Sequence, residues 1–216
     1  MVKQSISFFI PDNIDAPLWR YMPEEYFRSL LEESALYFCR ADLFIDPLEG
    51  TQSRPTIANR PLFYSGATDH WINETVPMFD ERTRKCLYVN CWHNNNKESK
   101  HMWDKYSGMI VIKSTLNRIK QSTQDTEREF LISPVRYINH DRDYTSDANS
   151  FCPFFCKDES YSNEREVRFA LIENFIHIGD ENFDTLPFEK GIFVPVDYSI
   201  LIEKAIIYPT AQNEEY

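Results

Sequence analysis

The stretch from Cys86 to Lys113, CLYVNCWHNNNKESKHMWDKYSGMIVIK, decides the fold class. Leu87, Val89 and Cys91 alternate with Tyr88, Asn90 and Trp92, the period of a strand, and Asn94 to Asn96 break it. Ser99, Met102, Trp103 and Tyr106 then share one helical stripe, which predicts a helix over Lys97–Tyr106 with Gly108 placed to stop it. Met109–Lys113 is a nearly continuous apolar strand, after which Ser114 or Thr115 can cap a helix running to about Gln121. Over the whole chain, the strands read in this way outnumber the helices and do not alternate with them regularly, which points to an α+β fold rather than a doubly wound sheet.

The flanks fill out the same picture. Toward the amino terminus, Leu18–Tyr21 reads as a short strand. Pro23, Glu24 and Glu25 open a helix in which Tyr26, Phe27, Leu30 and Leu31 recur at helical spacing. Leu36–Arg40 is a further strand, Asp42–Gly50 an irregular turn carrying Asp46-Pro47, and residues 51–85 are polar, with one helix expected near Asp80. Strands are expected at Phe130–Ile132, Val135–Asn139, Glu166–Glu173, Ile192–Val196 and Ala205–Tyr208, and Asp197 can cap a short helix before the last of them. The expected architecture is one α+β domain over residues 17–209 with a mixed or antiparallel sheet. Its helices, including those from Glu24 and Lys97, pack mainly on one side; residues 1–16 form an arm and 210–216 a frayed tail.

Length and composition bound the function. With 216 residues, 42% of them apolar, the chain can bury one substantial core. A net charge of −11 argues against general nucleic-acid binding, because clustered cations would work against a repelling field. Five scattered glycines permit neither a P-loop nor a Gly-x-Gly-x-x-Gly turn. No apolar run approaches a signal sequence or the roughly 20 residues of a membrane span, so a soluble cytoplasmic protein without a membrane partner is expected. Five cysteines, an odd number, fit reduced packing residues better than a disulfide framework.

Three groups of residues carry possible chemistry. Glu164, Glu166 and Arg168 have period-two spacing, so on a strand all three project from one face, the two carboxylates about 7 Å apart. They form either a rigid acidic site or a solvated face on which Arg168 offsets the glutamates. Arg20, between Trp19 and Tyr21, offers a planar fork for phosphate oxygens, or else stacks on its own aromatics or pairs with Asp46 or Glu49. The stripe of Met102, Trp103 and Tyr106 reads as core first and as a wall for a nucleotide base second. Zinc is not expected: Cys86, Cys91, His93, Cys152 and Cys156 lack the common ligand spacing, and Cys91 with His93 has no third group to orient a nucleophilic pair.

Trp19-Arg20-Tyr21, Phe44-x-Asp46-Pro47-x-Glu49, Cys91-Trp92, Glu98-Ser99-x-x-Met102-Trp103-x-x-Tyr106-x-Gly108 and Tyr161-x-x-Glu164-x-Glu166-x-Arg168 occur in an order that resembles the bacterial domain of unknown function numbered twenty-nine seventy-one. The resemblance covers roughly residues 17–209. It implies that members continue beyond the segment matching Pro209, so that the end at Tyr216 reads as a shortened variant.

Arg20, Ser114-Thr115 and Glu164-x-Glu166 are in turn similar to the arginine, serine-threonine and Glu-x-Glu series of ADP-ribosyltransferases. That similarity implies NAD as substrate, with Arg20 gripping its phosphates, Ser114 supporting the site and Glu166 bonding the ribose as the catalytic residue. It further implies that Glu164 orients a protein or nucleic-acid acceptor and that Tyr106 or Tyr161 stacks on the nicotinamide. Tyr21 and Arg168 are counted on the cofactor side, and the implied biology is that of a toxin or phage-defence factor. The competing expectation is an acidic interaction module that binds a basic protein partner, including a DNA-mimic use.

Overall fold

The computed structural model describes residues 13–106, 110–123 and 128–208. The expected arm falls almost wholly outside them, as do Gly108, Met109 and the acidic tail. The described chain folds into ten strands, β1 (Pro17–Met22), β2 (Ala35–Arg40), β3 (Leu87–Asn94), β4 (Ile110–Thr115), β5 (Leu131–Pro134), β6 (Arg136–Ile138), β7 (Cys156–Asp158), β8 (Glu166–Ile172), β9 (Gly191–Pro195) and β10 (Lys204–Ile207). Six α-helices accompany them, α1 (Glu24–Glu33), α2 (Arg54–Phe63), α3 (Val76–Cys86), α4 (Lys100–Tyr106), α5 (Leu116–Ser122) and α6 (Tyr198–Leu201). This is the α+β architecture with a largely antiparallel sheet that the sequence leads one to expect.

Eight strands form one open antiparallel sheet, and β6 and β7 pair in parallel beside it. β3 is its branch point. One margin of β3 is filled along its length by β8, from Leu87 opposite Ile172 to His93 opposite Glu166. The other margin is divided: β2 takes Tyr88 and Val89, while β1 takes His93 and Asn94. From there β1 leads on to β4 and β10, and β2 to β9. Neither neighbour pairs with Asn90, Cys91 or Trp92 on that margin, so the sheet is split at its centre.

Side chains satisfy the backbone that the split leaves without strand partners. Arg20 Nη1 donates to the Cys91 carbonyl at 2.8 Å, and Asn90 Nδ2 reaches across to the Tyr37 carbonyl at 2.8 Å. Trp92 Nε1 in turn donates to Asn90 Oδ1 at 2.7 Å, which holds the asparagine in place.

Alternation along the strands sends neighbouring residues to opposite faces. Leu18, Tyr88, Trp92, Ile112, Phe169 and Leu171 build the main core together with Leu30 of α1, Leu116 and Ile119 of α5 and Leu201 of α6. On the opposite face Trp19, Tyr21 and Val111 meet Met102 and Trp103 of α4, while Leu87, Val89 and Ala170 meet Phe154 and Phe155. The helices expected to share one side are therefore divided, with α1 and α4 on opposite faces. The cause is local: Tyr21 points away from the main core, and its hydroxyl accepts the Ser99 N–H at 2.7 Å, anchoring the start of α4 there. Ser99 Oγ accepts the Met102 N–H at 3.4 Å as the cap, so the helix begins at Lys100 rather than Lys97. Thr115, not Ser114, caps α5, its Oγ1 accepting from the Arg118 N–H at 3.1 Å.

Candidate functional site

Behind the split, on the face away from the main core, lies a buried ionic cluster. In register opposite Cys91, Arg168 is only 1% exposed. Its Nε and Nη2 donate to Glu166 Oε2 at 2.9 and 2.7 Å, its Nη1 donates to the Phe154 carbonyl at 2.7 Å, and Nη2 stands 3.2 Å from Glu49. Lys157, from β7, lies 2.8 Å from Glu49, 2.7 Å from Glu164 and 3.7 Å from Glu166. Lys105, from the last turn of α4, also pairs with Glu164. The Tyr161 ring lies under both lysines, 4.6 Å from Lys105 Nζ and 4.8 Å from Lys157 Nζ.

Local backbone geometry assembles these groups. Asp158 caps a 3-10 turn over Glu159–Glu164 by accepting from the Ser160 N–H at 3.1 Å, and Arg165 ends the turn in the left-handed region at φ 42. β8 starts only at Glu166. The expectation that Glu164, Glu166 and Arg168 share one strand face is thereby corrected: Glu164 precedes the strand, and the left-handed residue turns it toward the lysines while Glu166 faces Arg168. Glu49 arrives from the turn closed by Gly50, whose φ of 72 suits glycine and whose missing Cβ leaves room for the Phe154 ring, 2.5 Å from where such a carbon would stand.

The cluster is electrically balanced, with Glu49, Glu164 and Glu166 against Lys105, Lys157 and Arg168. Burial alone would raise the Glu166 carboxyl; Arg168 and Lys157, with hydrogen bonds from Arg168 and the Cys91 thiol, outweigh it and hold the group below its ordinary value. For Lys157, desolvation is likewise overcome by Glu166 and Glu49, so its ammonium is held charged well above the usual range. Burial raises the Cys91 thiol, with Glu166 adding to the effect, so this cysteine is a poor nucleophile. Tyr106 is raised by burial and then by Glu164 and Glu166; Tyr137, whose hydroxyl accepts the Glu166 N–H at 2.8 Å, is raised chiefly by burial.

Arg20 is the exception. Its guanidinium enters the gap between β1 and β2 and donates to the Cys91 carbonyl, and among the described residues no carboxylate stands in ion-pair range. Desolvation lowers its pKa, and the groups opposing that effect are Cys91, Tyr106 and Cys39, none of them a carboxylate. The residue as a whole is half-buried, while its guanidinium is desolvated in the gap. The alternatives of pairing with Asp46 or Glu49 are not realised: Asp46 accepts the Leu48 N–H at 2.9 Å, and Glu49 serves Lys157 and Arg168. Tyr106, 38% exposed, links the two zones, because it interacts electrostatically with Arg20 on one side and with Glu164 and Glu166 on the other.

The other expected site residues separate clearly. Tyr106, Tyr161, Glu164, Glu166 and Arg168 gather around the cluster. Ser114 does not: it is fully buried, and its hydroxyl donates to the Leu201 carbonyl at 2.6 Å, a structural bond between β4 and the end of α6. Tyr21 also lies apart, its ring at right angles to Trp103 and its hydroxyl committed to Ser99. Glu164 differs from the expected acceptor-orienting acid, since its two oxygens are taken by two ammonium groups. Arg168 differs from a cofactor ligand, because its donors are consumed inside the protein.

Sequence reasoning missed Lys105, Lys157 and the structural duty of Glu49. A signal existed for Lys157, a lysine directly after the apolar run Phe154-Phe155-Cys156; a cation in such a place is buried and paired. Among the described residues, no group of three or more His, Cys, Asp or Glu side chains is arranged to hold a metal ion, and no helix is long and apolar enough to cross a membrane. Compared with known proteins, the chain matches no family, no curated protein and no solved structure.

Proposed function

We propose that the protein is an ADP-ribosyltransferase-like enzyme of the cytoplasm that uses NAD on a macromolecular acceptor, with its reaction centre at the split of the sheet. The observation that carries this reading is Arg20: a guanidinium in the gap of the sheet, bonded to one carbonyl and, among the described residues, without a counter-ion, next to an aromatic that also interacts with an ionised glutamate. A dinucleotide supplies what is missing, since its pyrophosphate is a bidentate partner for the arginine and its rings can lie on Tyr106.

In the reaction the ribose–nicotinamide bond breaks and its electron pair leaves with nicotinamide, which neutralises the pyridinium. Positive charge develops on the ribose, and the Glu166 carboxylate, kept ionised by Arg168 and Lys157, stabilises it more in the transition state than in the substrate. The acceptor then bonds to the ribose carbon and releases its proton to solvent. Glu164 has a positioning role, because it holds Lys105 and Lys157 in place.

Calorimetry with NAD and chromatography of released nicotinamide test the reading together. Binding abolished in Arg20→Gln, and binding kept without nicotinamide release in Glu166→Gln, are the expected results. Wild-type protein that neither binds NAD nor releases nicotinamide overturns it, and salt-sensitive capture of a basic protein would then favour the acidic interaction module.

A further inference from the structure

A cavity of about 250 Å³ lies between the helical segment 54–86 and the loops around 147 and 175. The residues that line it include the aromatics Tyr64, Trp71, Phe79 and Phe175 and the acids Asp80 and Asp147. The volume is below that of ordinary cofactor sites, roughly 300–1,000 Å³, and suits a small group rather than a nucleotide.

Its charge is fixed by a single buried arginine. Arg60, 3% exposed, grips Asp147 with two hydrogen bonds of 3.0 and 3.2 Å and also pairs with Asp80. One guanidinium against two carboxylates leaves one negative charge. Asp147 uses both oxygens on Arg60, whereas Asp80 uses only Oδ2 and is the more exposed of the two, at 30% against 5% of its side chain. The carboxylate with an unused oxygen is therefore the one that solvent and ligands can reach.

The aromatic wall has a built origin. Trp71–Thr75 winds as a π-helical segment before α3, an uncommon element that is frequent at functional sites. It carries Trp71 to the cavity, with its ring 6.0 Å from that of Phe79 and inclined at 61°. Trp71 stays 41% exposed, so its indole can be reached from solvent. Four aromatic rings with a net negative charge are the chemistry that recognises an organic cation, through ring quadrupoles and a carboxylate together.

We propose that this cavity binds an alkylammonium group, primary or methylated, presented by a free amine or by a lysine side chain of another protein. The site is separate from the gap that Arg20 enters and does not depend on the NAD reading.

Calorimetry with choline and with its neutral isostere 3,3-dimethylbutan-1-ol tests the charge requirement. Choline should bind at least about tenfold tighter than the alcohol, and Trp71→Ala and Asp80→Asn should each weaken choline about threefold or more. Trp71 is surface-accessible, so Trp71→Ala keeps the test valid if Asp80→Asn, which disturbs Arg60, folds poorly. A trimethyllysine peptide compared with the same peptide carrying norleucine identifies the source: tighter binding of the peptide than of choline points to a protein lysine, and the reverse to a free amine. Equal affinity for choline and the alcohol, binding of neither, or choline binding unaffected by Trp71→Ala overturns the proposal.

Discussion

Two arginines address the same strand from opposite margins. Arg168 stands in register across from Cys91 on the β8 side, and Arg20 reaches the Cys91 carbonyl from the β1 side. Arg168 is enclosed and engages two glutamates and a carbonyl; Arg20 is half-buried and engages one carbonyl. The difference separates an arginine whose donors are committed to carboxylates inside the protein from one with a single neutral partner among the described residues. A buried charge with all partners present costs little to keep and much to break, whereas a cation with one neutral acceptor contributes little to folding and gains most when an anion arrives.

Replacing each arginine sharpens that contrast. Arg168→Met should produce the largest loss, about 3–5 kcal/mol in urea unfolding, because Glu166 and Glu49 would remain buried beside an apolar chain. A loss under about 1 kcal/mol would erase the distinction. Glu166→Gln should cost less, about 1–3 kcal/mol, since the amide oxygen still accepts from Arg168. Differential scanning calorimetry should show the fold retained, and chromatography should show nicotinamide release abolished.

Acid provides a graded version of the same experiment. The folded Glu166 carboxyl lies below its unfolded value of about 4.3, so the stability it contributes is complete above that pH and fades as pH falls through the lower folded value. Unfolding midpoints should therefore drop below about pH 4, and Glu166→Gln should flatten that limb. Arg20→Gln should have the smallest effect on stability, about 1–2 kcal/mol, matching one hydrogen bond from a charged donor to the Cys91 carbonyl. Its consequence should instead appear in ligand response: pyrophosphate should raise the melting temperature of the wild type and leave that of Arg20→Gln unchanged.

The contrast also shows what sequence pattern conveys. Alternation in Leu87–Trp92, the acidic start of α1 and the Asp197 cap mark elements that the chain forms, because periodicity and capping are local properties. Residues 51–85 hid α2, since its buried positions, Thr56 and Arg60, are polar and give no apolar stripe, and the π-helical segment, which buries Ile72 alone. At the site, Arg20, Tyr106 and Glu166 were legible as residue types, whereas their neighbours were not. Lys157 and Glu49 lie far apart in sequence and meet only through β7 and the Gly50 turn, and no spacing rule encodes such a meeting. The Glu-x-Glu spacing was misleading for a specific reason: a single left-handed residue, Arg165, uncouples two positions that a continuous strand would have placed side by side.

The divided margin of β3 has a further consequence for solubility. A strand with open N–H and C=O groups invites a foreign segment to join the sheet, and proteins usually block such places with proline, lysine or a bulge. Here the vulnerable interval is internal and is plugged by Arg20 and Asn90. The same guanidinium thus serves as gatekeeper against intrusion by other chains, and any ligand that draws it away from the Cys91 carbonyl must itself close the opening it leaves.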